Sequence, residues 1–232
     1  MGRRLAMGDA RSDILARIRE ALKVKAPAPH FKAEKPHGHP AQVGKPWLPD
    51  GGETTDASLV ILSEQLAKLK AVLVRVTDEN AAAQAVADLA RNKSWKRVAY
   101  HGDPLVRRII PALPCESWEA DASFEKQKLE GCDAGITSCE SLVAQLGSIL
   151  VSSASSGGRA LSILPHVHVV VARTDQVVPD LATALEQVRV RHGDRMPSML
   201  SFITGPSRTG DIERILVLGA HGPKELHVVL IG

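Results

Sequence analysis

Aromatic side chains are scarce: three Trp, three Phe and one Tyr among 232 residues. A core without rings is left to Leu, Ile, Val and Ala, and a 44% apolar fraction provides enough of them for a sizeable one. Cysteine is nearly as rare. Cys115, Cys132 and Cys139 form no CxxC pair, which excludes a disulfide framework and an iron–sulfur cluster held by this chain alone. A reducing cytoplasm is the expected setting. No apolar run reaches the length that spans a membrane, and the opening MGRRLAMGDARSD lacks the apolar segment of a signal peptide. The net charge is only +3, with Lys and Arg scattered and no interleaved aromatics. That argues against a dedicated nucleic-acid binder. Neither a Walker A element nor GxGxxG is present, and no internal repeat is visible.

What the chain does contain begins with a helical pattern. Ile14, Leu15, Ile18 and Leu22 recur at helical spacing within Asp9–Leu22, with Ser12 and Asp13 in the first turn. Six prolines between Ala26 and Gly52 then forbid regular structure. Residues 1–52 therefore read as an N-terminal helix with a Pro-rich arm. Such a helix cannot bury its apolar face locally and must dock on the body, on a second copy in a homo-oligomer, or on a partner protein. His30, His37 and His39 in the arm lack a carboxylate or Cys at ligand spacing and read as solvated loop residues rather than a metal site.

From residue 53 to 232 the pattern alternates between strand and helix. Ala57–Leu69 reads as a helix with Asp56 as N-cap, Ala71–Val76 as a strand, and Asp78 as the cap of an Ala-rich helix. Further strands are expected at Arg97–His101, Cys132–Ile136, Ser148–Ser153 and Val167–Ala172, and helices at Ser138–Leu146 and Val178–Val190. This alternation predicts a three-layer α/β/α fold around a mostly parallel sheet. The last two apolar runs, Ile215–Gly219 and Leu226–Ile231, are separated by a few residues, too few for a crossover. They are expected to pair as an antiparallel C-terminal unit.

Two loops carry the clearest candidates for chemistry. After the strand at Ser148–Ser153, the run Ser152, Ser153, Gly157, Gly158 and Arg159 combines hydroxyls, open backbone N–H groups and a cation, a set suited to an anion. Near the C-terminus, Thr204, Gly205, Ser207, Arg208, Thr209 and Asp211 place hydroxyl donors around a guanidinium that matches phosphate or carboxylate. His221 sits in a Gly-His-Gly-Pro turn, where an orientable imidazole serves as a general base, although such turns also arise for geometric reasons. A small anionic ligand is the expected occupant of both loops. His166 and His168 lie two apart on one strand and lack a third metal ligand, so one at the strand edge and one in the core is expected. Cys139, at a strand–helix junction, reads as a small hydrophobe before it reads as a nucleophile.

Several of these stretches, namely Gly135-Ile136-Thr137, Val143–Ser153, Leu164–Val171, Gln176–Asp180 and above all Thr204–Val229, resemble the LUD-domain family. The pairing of GPSRT-x-DIE with HGP-x-ELHV is the specific part. The resemblance implies a fold similar to the ribose-phosphate isomerase, CoA-transferase and 5-formyltetrahydrofolate cyclo-ligase group. It also implies a role beside iron–sulfur partner proteins in oxidising L-lactate, or a related 2-hydroxy acid, to pyruvate. It brings no established catalytic mechanism and no named cofactor, so the alternative is a stand-alone enzyme or binding protein for a phosphate- or carboxylate-bearing molecule such as a CoA ester, a sugar phosphate or a folate–ATP pair. The chain departs from the family where members read A-E-T-G-T: here Ala144-Gln145-Leu146-Gly147-Ser148 replaces the carboxylate with an amide, which cannot act as a general base.

Overall fold

The computed structural model describes residues 7–23, 49–120, 126–210, 216–218 and 222–232, with only the backbone described for 7–10, 208–210 and 216–218. The Pro-rich arm, its three histidines, Asp211 and His221 lie outside the described residues. The chain divides into two units, Met1–Pro46 and Trp47–Gly232. In the first, helix α1 (Met7–Lys23) leaves Ile14, Leu15, Ile18 and Leu22 exposed.

In the second unit the elements follow in order. Helix α2 (Thr55–Lys68) leads into strand β1 (Val72–Val76), and helix α3 (Glu79–Asn92) into β2 (Arg97–Tyr100). A short helix α4 (Pro104–Ile109) precedes β3 (Glu116–Glu119), and α5 (Lys126–Glu130) precedes β4 (Ala134–Thr137). Then come β5 (Ser141–Val143), β6 (Ser148–Ser152), the four-residue α6 (Ser153–Ser156) and β7 (Val167–Arg173). The two-residue β8 (Val177–Val178), α7 (Leu181–His192), β9 (Leu200–Ile203), β10 (Arg208–Gly210), β11 (Leu216–Leu218) and β12 (Glu225–Ile231) complete the chain.

Caps fix several helix starts. Asp78, Asp103 and Asp180 each accept a backbone N–H one turn into their helix, at 2.8, 2.8 and 2.7 Å. The cap of α2 is Thr54, accepting from Ala57 N at 3.2 Å, rather than the expected Asp56, which falls inside the first turn.

Among the described residues a six-stranded sheet runs β1-β12-β7-β4-β2-β3 with every pairing parallel. Helices α3 and α4 cover one face through Val86, Val106 and Ile109, which meet Val169, Val171 and Val229. The opposite face, with Val170, Ala172, Leu226, Val228 and Leu230, packs on α2 and on a second sheet, β8-β5-β6-β9. Helix α7 closes the far side of that sheet through Ala184 and Val188. This is a three-layer α/β/α arrangement with an added mixed sheet. Each fully buried Leu, Ile or Val contributes about 1.5–3 kcal/mol, so the central strands β7 and β12, apolar on both faces, anchor the unit.

Three sequence expectations change. The run 226–231 does not fold back on 215–219. Strand β12 lies between β1 and β7, parallel to both, and the antiparallel partner of β11 is β10. A strand apolar on both faces belongs at the centre of a parallel sheet. Because β11 stands outside the main sheet, the short connection to β12 crosses nothing. The segment 138–146 is not helical: Ser141–Val143 is buried on all sides and pairs with β6 across a turn closed by Gly147 at φ 64°. Val177–Val178 likewise pairs with β5 as a strand, and Pro179 precedes the cap of α7 instead of opening its first turn.

Candidate functional site

The carboxyl ends of β2, β4 and β7 open onto a cavity of about 410 Å³, within the usual range for ligand sites. Asp103 enters it from the cap of α4, Ser138, Cys139 and Glu140 from the turn after β4, and Arg173, Asp175 and Gln176 from the end of β7. Arg191 and His192 close it from the last turn of α7, and Ala154 and Ser155 from α6.

Glu140 is the hub of its polar wall. The residue is 3% exposed. It accepts from Ser152 Oγ at 2.5 Å, from Arg191 NH1 at 2.5 Å and from His192 Nε2 at 3.3 Å. Burial pushes its pKa up, but the bonds from Ser152, Arg191 and His192 outweigh this and hold the group below the ordinary glutamate value. Arg173 lies across the cavity and donates from NH2 to Glu79, which also takes Arg108. The Arg108 bonds, with Arg173 adding to them and partial burial opposing, hold Glu79 below its ordinary value. Ser152, Glu140 and His192 are the residue types of a hydrolase triad in the wrong order. The carboxylate sits in the middle, and the imidazole that should deprotonate the serine bonds to the carboxylate instead.

The Ser/Gly loop borders this cavity, but its residues play unequal parts. Ser152 is fully buried, and its hydroxyl caps α6 by accepting from Ala154 N and Ser155 N at 3.0 and 3.1 Å. Ser153 accepts from Ser198 Oγ at 3.2 Å. Gly157 and Gly158 adopt φ of 65° and 116°, and Arg159 is exposed. Ser155, within the same loop, lines the cavity.

The C-terminal loop lies elsewhere. Thr204 Oγ1 bonds Ser148 Oγ at 2.7 Å, at the start of β6, whereas Ser152 is at its end. Four residues at about 3.3 Å each separate the two loops by about 13 Å. Thr204–Ser207 instead meets the turn before β12: Ser207 N donates to Pro223 O at 2.9 Å, and Gly222 packs beside Ser207 Cβ. Arg208 and Thr209 begin β10, with their side chains outside the described residues, as are Asp211 and His221. Gln145 belongs to this end too. Its Nε2 donates to Pro49 O at 2.6 Å, a bond that a carboxylate cannot make.

His166 is exposed, while His168 is buried with Nε2 on Thr137 Oγ1 at 2.9 Å. Among the described residues, no three His, Cys, Asp or Glu side chains are placed to hold a metal. Cys139 precedes a strand, not a helix N-terminus; burial, with Glu140 beside it, pushes its thiol pKa up, and the opposing charge of Arg191 does not offset this. Sequence reasoning missed Glu140, Arg173, Arg191 and His192. The available signal was a lone carboxylate in the small and apolar run Ser138–Val143.

A mostly parallel sheet flanked by helices, with a polar cavity at its carboxyl edge, defines the class of three-layer α/β/α domains. Within that class, the family model for the LUD domain matches residues 60–231, and the chain belongs to that family. Among its relatives, lactate utilization protein C of Bacillus subtilis is 28% identical over 194 residues, covering 78% of this chain and 80% of that protein. The Halalkalibacterium halodurans protein of the same name is 27% identical over 221 residues, covering 90% and 89%. The crystal structure of a DUF162 family protein from Deinococcus radiodurans matches with a TM-score of 0.62 at 23% identity, over 78% of this chain and 100% of that one, and supports the fold. Among the described residues, no helix is long and apolar enough to cross a membrane.

Proposed function

We propose that this protein is a cytoplasmic LUD-domain subunit that supports oxidation of L-lactate, or a related 2-hydroxy acid, to pyruvate together with iron–sulfur partner proteins. The observation that carries this reading is family membership over residues 60–231, joined to similarity over more than three quarters of the length of two proteins named for lactate utilization. The redox chemistry then belongs to the partners, and this chain contributes binding or assembly. The exposed stripe of α1 supports a docking role for residues 1–52 toward a partner or a second copy. A deletion strain growing on L-lactate as sole carbon source tests the role. Slow growth rescued by the intact gene, with iron–sulfur proteins co-purifying under anaerobic conditions, is expected. Normal growth and recovery without any such partner would sink it.

A second reading, a stand-alone enzyme or binding protein for a phosphate- or carboxylate-bearing molecule, is favoured by the cavity itself and by the Gly205–Asp211 motif around Arg208. Calorimetry with Arg208→Ala tests the motif: lost anion binding with an intact fold supports it, and unchanged affinity removes Arg208 from the site.

A further inference from the structure

The charged groups around the carboxyl-edge cavity differ from those of a phosphate site. Asp103, Glu140 and Asp175 face Arg173 and Arg191, so carboxylates outnumber guanidinium groups. Each guanidinium is held by one carboxylate: Arg191 by Glu140, through NH1, and Arg173 by Glu79, through NH2. A guanidinium carries five N–H donors, so these partners orient it without saturating it. The Arg173 and Arg191 side chains are 42% and 45% exposed, which leaves donor edges for a ligand.

A phosphate ester would bring a charge of about −2 into a lining that is already net negative. A single carboxylate brings half of that and matches the planar fork of a guanidinium. Asp103 and Asp175 are acceptors, and they suit a ligand that also carries hydroxyl donors. From this arrangement we infer that the cavity binds a small hydroxy-monocarboxylate, its carboxylate on Arg173 and Arg191 and its hydroxyl on Asp103 or Asp175, and that it discriminates against phosphate esters. The choice of a 2-hydroxy acid rests on the lactate-linked reading; the preference for a single charge rests on the cavity alone.

The test is calorimetry on the purified full chain with L-lactate, inorganic phosphate and ribose 5-phosphate as probes. Saturable L-lactate binding is expected, with both phosphates weaker by at least about tenfold. Arg173→Gln should weaken L-lactate by a similar factor. It leaves Glu79 paired with Arg108, so the thermal midpoint of the unliganded protein should hold. If that variant does not fold, Asp103→Asn and Asp175→Asn are measured instead: at least one of them should lower L-lactate affinity, and full affinity in both would overturn the assignment. No L-lactate binding at tens of millimolar, phosphate binding at least as tightly, or full affinity in a folded Arg173→Gln protein would overturn the assignment. Binding of L-lactate alongside normal growth of the deletion strain upholds the cavity and removes the metabolic role; a growth defect without binding does the reverse.

Discussion

Arg191 grips Glu140 at two points, donating from NH1 to the carboxylate at 2.5 Å and to the main-chain oxygen at 3.2 Å. The end of α7 is thereby tied to the turn between β4 and β5, and Ser152 joins the α6 loop to the same carboxylate. Glu140→Gln keeps the shape but removes the charge-assisted bonds, and Arg191 is half exposed and so partly screened. A loss of about 1.5–3 kcal/mol is expected, read as a lower urea midpoint with an unchanged slope. The pH dependence follows from the lowered pKa of Glu140 in the folded state. Its stabilisation is present above the unfolded glutamate pKa and disappears as pH falls through the lower folded one. The gap between wild type and Glu140→Gln should therefore narrow on acidification below about pH 5. A gap that stays constant into acid would show that Glu140 is not held as a carboxylate.

The amide of Gln145 points its donor at the Pro49 carbonyl, at 2.6 Å. Placing an acid there with Gln145→Glu sets an acceptor against an acceptor. The expected loss is about 1–3 kcal/mol at neutral pH, partly recovered in acid as the carboxyl gains a proton and can donate. Thermal unfolding at two pH values checks it. A variant as stable as wild type at neutral pH would mean that the Pro49 contact contributes nothing.

Gly205 holds φ at 86°, and a Cβ there would lie 3.1 Å from Leu69 Cβ and 3.2 Å from Leu69 O. Both the left-handed backbone and the close approach to α2 resist a side chain. Gly205→Ala should lose at least about 1–2 kcal/mol, measured by chemical denaturation. An unchanged midpoint would mean that this loop shifts freely away from Leu69, and would weaken the view that it is a fixed scaffold for the residues that follow.

The parallel sheet was legible because its strands are short apolar runs punctuated by Asp caps such as Asp78 and by Gly- and Pro-containing turns. The second sheet was not. Ser141–Val143 is buried all round and carries no periodicity to separate strand from helix. The cavity was hidden for a different reason. The partners of Glu140 lie 12, 51 and 52 residues away in sequence: the antiparallel pairing of β5 with β6 brings in Ser152, and the packing of α7 on β5 brings in Arg191 and His192. The two candidate loops looked equivalent in sequence because both are rich in hydroxyls and glycine. Their placement at opposite ends of β6 depends on the pairing of β6 with β9.

His168 is buried on β7, with Nε2 on Thr137 and Nδ1 unpartnered among the described residues. Burial lowers its pKa from 6.5 to about 4. A proton therefore binds the unfolded chain before it binds the folded one. Stability is full above about pH 6.5 and falls as the pH drops toward about 4, where the folded state begins to bind the proton too. Two to three pKa units correspond to roughly 3 kcal/mol across that window. His168→Leu removes the linkage and leaves the Thr137 hydroxyl, a weaker donor and acceptor, without its ring partner. The variant should be comparable to or slightly less stable than wild type at pH 7.5, yet lose less stability between pH 6.5 and 4. Urea unfolding across this range reads the difference directly, and an NMR titration should find the His168 ring neutral throughout physiological pH. Parallel pH profiles for the two proteins, or a His168 resonance that titrates near 6.5, would show that the ring is not held neutral in the core.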